Sequence, residues 1–258
     1  MTIKQLGALW VILACASCCR VSKGFTEEEL SLIHEADSIM RVLTVCDSAD
    51  LAVLRTPSVD FSAEALLSEE YASLCSLMTA TVTHPSQDGV GIAGPQVGLN
   101  RRVVAVQRFD KEGEPFEVYP NIRIIWASDS LKYGPEGCLS VPGRRGEVLR
   151  SQEIVIEYAD IQQLILNHTK QLEQAIHGKK LNGSELINTV PMVRDTVKGF
   201  TAVIFQHETD HLDGILYIDR LQETSSHRVC VRGRERPYHL NTLKSTGYIN
   251  KDRYFTLA

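Results

Sequence analysis

The residues best placed to do chemistry form one stretch, Gln206-His207-Glu208-Thr209-Asp210-His211-Leu212. It reads H-E-x-x-H, and on a helix residues four apart share a face. His207 and His211 could therefore aim two imidazoles at one metal ion, with Glu208 beside them to handle the proton of a water held there. The alternative is two solvent-facing histidines on an ordinary helix. A third ligand is available in Glu136-Gly137-Cys138-Leu139-Ser140, where Cys138 lies among glycine and proline turns rather than in an apolar run. A lone cysteine is most often structural. Joined to two histidines, it fills three corners of a tetrahedron and leaves the fourth for water. A third stretch, Gly89-Val90-Gly91-Ile92-Ala93-Gly94-Pro95-Gln96-Val97-Gly98, is rich in glycine and lacks the Gly-Lys-Ser/Thr of a phosphate loop. Gln96 is its one side chain able to donate a hydrogen bond to a reacting oxygen; the alternative is a structural turn.

These groups need elements to hold them. The apolar run 199–205 suits a buried helix leading into the histidines, and Asp213-Gly214 suits its end. Phe200, Val203 and Ile204 precede His207 by seven, four and three residues. They share its helical face and line either a pocket or simply the core. Earlier in the chain, Thr26 with Glu29 forms a capping-box pattern that predicts a helix over 25–45. Pro57 makes 50–60 extended, and a second helix is expected over 62–82. Strands are expected at 102–107, 118–127 and 147–159. Residues 160–198 are less readable, with Leu164, Ile165, Leu172 and Ile176 hinting at a short helix, and 215–221 reads as a short strand or turn. The pattern is α+β, with antiparallel strands wrapped around a central metal-binding HExxH helix.

Composition adds limits. The chain has 258 residues, 43% hydrophobic and 23% charged, with a net charge of −5, so DNA is not an expected partner. Seven cysteines with no C-x-x-C spacing speak against a zinc-finger framework. Residues 1–19 combine Lys4, a short apolar run and Cys15, Cys18 and Cys19, a pattern similar to a bacterial signal peptide or lipoprotein leader. The alternatives there are a buried helix or an unstructured leader. The segment 223–258 carries seven Lys/Arg against three acids, a net +4, which a solvated surface explains as well as a binding patch does.

Taken in order, G-V-G-I-A-G-P-Q, E-G-C-L-S and Q-H-E-T-D-H-L closely resemble the motifs of the peptide deformylase family. Gly94 stands where that family usually has a second Ala. The resemblance covers roughly 48–222, with an insertion at about 161–197, and leaves a leader (1–19), an N-terminal helical extension (20–47) and a basic tail (223–258) outside it. It implies a metal-dependent hydrolase that removes the formyl group from formyl-methionine at polypeptide N-termini. In that scheme Cys138, His207 and His211 hold Fe2+, which Zn2+ or Ni2+ can replace. Glu208 acts as base and then acid, and the Gln96 amide and Leu139 N–H stabilise the oxyanion. Val90, Gly91, Gly137 and Arg145 (or Arg144) contact the peptide, and Phe200, Val203 and Ile204 line the methionine pocket. The partner is a formylated nascent chain, with a possible ribosome contact through the tail. The family role suggests the cytoplasm, whereas the leader suggests export or lipid anchoring. Two other readings are an HExxH zinc peptidase and a non-catalytic exported relative that binds metal or peptide.

Overall fold

The structure, a computed structural model, describes residues 24–87, 89–177 and 189–221. The leader expected over 1–19 and the tail 223–258 lie outside the described residues, as does 178–188 of the expected insertion. Helix α1, Glu27–His34, starts as expected with Thr26 and Glu29 bonded reciprocally. It ends at His34, however, well short of 45. Asp37 and Ser38 follow, and their side chains compete with the helical backbone for hydrogen bonds. The chain then runs without regular structure to α2, Ser48–Leu54, which Asp47 caps through the N–H groups of Ala49 (2.8 Å) and Asp50 (3.1 Å). The extended segment expected at 50–60 is thus helical at its start and frees itself only ahead of Pro57.

The helix expected over 62–82 is two helices, α3 (Ala63–Leu66) and α4 (Glu69–Thr83). Ser68 breaks the run because its hydroxyl caps a new start, accepting from the Tyr71 N–H at 3.2 Å. Tyr71, Leu74, Met78 and Val82 recur at helical spacing along α4 and are buried. They pack with Ile92, Val97, Leu99, Val103 and Ala105 in a first core.

All three sheets are antiparallel, as the patterning predicts. Strands β1 (Gly91–Ala93), β2 (Val103–Gln107) and β3 (Phe116–Pro120) form one. Strands β4 (Arg123–Ala127), β7 (Glu153–Ala159) and β8 (Met192–Lys198) form the second. The third is the hairpin of β5 (Leu131–Cys138) and β6 (Val141–Ser151). Between β7 and β8 lies α5, Ile161–Ile176, a full helix capped by Asp160 where the sequence only hinted at one.

Helix α6 (Gly199–Leu212) carries the H-E-x-x-H stretch and is buried from His207 to Leu212. Ile204, Phe205, Ala202 and Leu212 are fully buried in a second core with Val104, Val106, Ile122, Ile154 and Ile156, drawn from both three-stranded sheets. Gln206 fastens the helix sideways to the hairpin. Its amide nitrogen donates to Ser151 O (2.8 Å), and its amide oxygen accepts from Ser151 N (3.0 Å). At the C-terminus Gly214 takes φ +72°, its N–H donates to His211 O, and Ile215 N–H donates to Asp210 O. This pair of bonds closes a Schellman motif. The stretch 215–221, read as strand or turn, contains a short 3-10 turn at Tyr217–Arg220.

Gly214 is also packed against backbone, since a Cβ there would lie 2.5 Å from Arg55 O. Left-handed backbone strain alone costs roughly 1–3 kcal/mol for a residue other than glycine. Gly214→Ala is therefore expected to lower the unfolding free energy by at least about 2 kcal/mol, read as a lower urea midpoint at unchanged slope.

Candidate metal centre

The helical spacing of His207 and His211 does bring their rings together, with centroids 5.2 Å apart. The end of β5 delivers Cys138 to the same point, so that Cys138 Sγ lies 3.3 Å from His211 Nε2. One ligand atom from each of Cys138, His207 and His211 lies within 4.8 Å of the others, and all three residues are buried. A thiol and two imidazoles at this spacing suit a borderline-soft divalent ion such as Zn2+ or Fe2+, with a tetrahedral position left open.

Glu136, two residues before Cys138, sets the orientation of one ring. His207 Nδ1 lies 2.8 Å from Glu136 Oε2, and Arg150 donates to the same carboxylate through Nε (2.7 Å) and Nη2 (2.9 Å). Burial pushes the Glu136 carboxyl up, but the Arg150 guanidinium and the His207 ring outweigh it and bring it to about 2. An ionised carboxylate only accepts, so Nδ1 carries the proton and Nε2 faces the other ligands. Arg150 continues the chain by donating to Asp210 Oδ2 (2.6 Å), a carboxylate that also takes both arms of Arg220. Tyr217 lies nearly parallel to the His207 ring at 6.0 Å.

Glu208 is fully buried, and neither of its carboxylate oxygens has a hydrogen-bond partner among the described residues. Burial first, and the nearby Glu136 carboxylate second, hold it well above the ordinary carboxylate range. Burial likewise pushes the Cys138 thiol up, helped by Glu208. A cation among these groups would reverse both shifts, so the acids and the thiol fit a metal better than they fit one another. Gly91 makes the room that Glu208 occupies. A Cβ at residue 91 would stand 2.6 Å from Glu208 Oε1 and 2.9 Å from Ile204 Cγ2.

Gln96 stands on the opposite side, in the 3-10 turn Gly94–Val97. Its Oε1 accepts from Ala93 N–H at 2.8 Å, which turns Nε2 toward Ser140 Oγ (3.2 Å) and Cys138 Sγ (3.5 Å). Leu139 is adjacent in sequence to Cys138, partly buried against the first core. Val90 and Gly91 lead into β1, whose outer edge has no partner among the described strands. Gly137 pairs with Arg145 across the hairpin, and the Arg145 side chain passes over it (a Cβ would meet Arg145 Cγ at 3.3 Å). Along α6, Ile204 is fully buried, Val203 is partly buried, and Phe200 is 42% exposed with its ring against Phe109. Exposure along this stripe therefore rises with distance from the histidines.

Sequence reasoning missed the supporting residues Glu136, Arg150, Asp210 and Gly91's packing role. Glu136 and Asp210 had a signal, since each lies inside a motif and a metal-bound histidine needs an acceptor for its second nitrogen. Arg150 had none, because its partners lie 14 and 60 residues away.

The polypeptide deformylase family model matches residues 39–175 and 188–227. A peptide deformylase of Leptospira biflexa is 31% identical over 180 residues, 67% of this chain and 84% of the relative. One from Symbiobacterium thermophilum is 38% identical over 140 residues, 54% of this chain and 51% of the relative. Among solved structures, a class I type b peptide deformylase of Acinetobacter baumannii with bound Met-Ala-Ser superposes with a TM-score of 0.53 at 30% identity, over 71% of this chain and 98% of that one. The Thermotoga maritima peptide deformylase gives 0.54 at 26% identity, over 72% and 99%.

Loss of an acceptor behind a ligating histidine typically weakens metal binding by about 10–100-fold. Glu136→Gln is expected to do so here, measured by competition with a chromophoric chelator. Unchanged affinity in the folded variant would mean that the Glu136–His207 contact plays no part in holding the ion.

Proposed function

The chain belongs to the peptide deformylase family and is a metallohydrolase that removes the formyl group from nascent peptides; within it we propose the following division of labour. Cys138 Sγ, His207 Nε2 and a His211 ring nitrogen would hold one Fe2+, for which Zn2+ or Ni2+ could substitute. The ion supplies Lewis-acid polarisation and makes a water nucleophile available near neutral pH. Glu208 takes the proton of the attacking water and later gives it to the leaving amine, as general base and then acid. Its unpartnered, fully buried oxygens beside the three ligands are the observation that carries this reading. No donor among the described residues competes for the lone pair that must accept the proton.

Gln96 Nε2 and the Leu139 N–H stabilise the charge that develops on the formyl oxygen. The bond from Ala93 fixes the amide so that its donor end faces the ligands, which is the preorganisation such a donor needs. The peptide extends along the unpaired edge of β1 at Val90 and Gly91, adding a strand. Gly137, with Arg145 lying over it, borders the peptide on the hairpin side. The methionine side chain enters between Ile204, Val203 and Phe200, whose graded exposure supports a pocket mouth. The complex of the Acinetobacter baumannii relative with Met-Ala-Ser supports a peptide beginning with methionine. The basic tail, with its net +4, would favour a ribosomal contact where the substrate emerges.

Anaerobically purified protein is expected to release formate from formyl-Met peptides. Glu208→Gln should lower kcat by about 10²–10⁴-fold while the metal content stays at one per chain. Gln96→Ala should cost about 10²-fold in kcat. Full turnover by Glu208→Gln would refute the proton-transfer assignment, and cleavage of unformylated peptides instead of formate release would favour the peptidase alternative. Separately, truncation after Gln222 should reduce co-sedimentation with ribosomes at low salt; no change would remove the tail from the account.

A further inference from the structure

We propose that the segment 40–45, fastened by Arg41 and Asp50, is a strap that positions the two oxyanion donors, making Asp50 and Arg41 positioning residues for deformylation. The proposal rests on the assignment of Gln96 and Leu139 made above. The Leu43 N–H donates to Gln96 O at 2.8 Å, and the Val45 N–H donates to Ser140 O at 2.9 Å. One short stretch of backbone thus holds the main chain of Gln96 and of the residue after Leu139. Between these two bonds the Thr44 N–H points elsewhere, donating to Asp50 Oδ2 at 3.0 Å. Alternation of this kind is what an extended chain produces, and it means that pulling on Thr44 sets the height of its two neighbours.

Asp50 is the fixed point. It is buried in the first turn of α2, and its carboxylate also receives both arms of Arg41, at 2.8 and 2.7 Å. Arg41 itself is largely exposed (68% of its side chain), so the clasp is closed from solvent. At the other end of the strap, Met40 N–H donates to Thr81 Oγ1 on α4 at 2.8 Å. The strap's side chains follow the same division. Val42 packs in the cluster that contains Leu139, and Val45 in the one that contains Cys138. None of the strap residues reaches the metal ligands through a side-chain hydrogen bond in the described structure, so its influence passes through the donors. A displacement of about 1 Å at such donors is enough to cost up to about 10²-fold in rate.

Asp50→Asn keeps the shape and removes the charge, while Arg41→Ala removes the exposed arm and leaves the fold's buried groups in place. Both are expected to lower kcat about tenfold with KM within twofold and metal content unchanged. In a Gln96→Ala background, Asp50→Asn should cost much less than it does alone, because the donor it positions is already gone. Amide hydrogen exchange at Leu43 and Val45 should accelerate in both variants. Equal losses with and without Gln96, or folded variants whose exchange at Leu43 and Val45 is unchanged, would overturn the strap. A wild-type protein that releases no formate would instead overturn the assigned activity, and the exchange measurement would still decide the strap.

Discussion

The guanidinium of Arg150 is the interaction on which the site depends. It sits between Glu136 on β5 and Asp210 on α6, both buried, and joins the hairpin that carries Cys138 to the helix that carries His207 and His211. Charges taken out of water are costly unless their remaining donors and acceptors are met, and removing one partner of such a set typically costs roughly 3–5 kcal/mol. Here the hydrogen bonds are nearly complete. Glu136 is satisfied by Arg150 and His207, and Asp210 by Arg150 and Arg220. The arrangement is therefore an all-or-none fastening. The hairpin and the helix cannot slide past one another without stranding a buried charge, so the three ligand atoms keep their spacing before any ion arrives.

A second constraint is space. Glu208 must be close to the ligands, dry, and free of competing donors. The fold achieves this by pressing it against a residue without a side chain, Gly91. The same strand, β1, is short and pairs only with β2 among the described strands, so its other edge is the one proposed above for the peptide. One glycine thus serves two ends, since the absence of a Cβ lets the acid in from α6 and leaves the backbone of β1 approachable. The flanking residues Val90 and Ile92 are buried in two different cores, which keeps that edge from drifting.

How much of this was legible in the sequence follows from the range of each interaction. His207 and His211 could be read because a helix fixes their relation within four residues. Cys138 and Gln96 could be read because they stand in stretches rich in glycine and proline, although both prove buried, Cys138 at the end of β5 and Gln96 in a 3-10 turn. The α+β class could be read from strand patterning. The course of 35–47 could not. Its pattern suggests a helical extension, whereas past His34 its backbone bonds to Gln96 and Ser140, 53 and 95 positions from Leu43 and Val45 respectively by residue number. Backbone donors carry no sequence signature, and neither does a partner so distant. The break at Ser68 was readable in principle, since a serine followed by Glu69 and Glu70 ahead of a fresh apolar stripe is a helix-start pattern, but Leu66 and Leu67 before it continue the apolar stripe and mask it.

The helix α5 shows why a long connection between two paired strands leaves the centre undisturbed. Strands β7 and β8 pair in unbroken register from Glu153↔Lys198 to Ala159↔Met192, and α5 hangs from the far end of that ladder. The entropy of closing a longer connection grows only slowly with its length, so the β7–β8 pair tolerates a long connection as long as its own pairing holds. Only Leu164 of α5 is fully buried, packed in the first core, while Ile165, Leu172 and Ile176 remain exposed. The near end of the ladder delivers Lys198 directly into Gly199 and hence into α6. The register of β8 on β7 therefore sets where the metal helix begins, and an insertion at the opposite end of the ladder cannot alter it. Changes in length are absorbed where the chain is free to loop, and the distances between Cys138, His207 and His211 are set by β5, β6 and α6, which lie away from that connection.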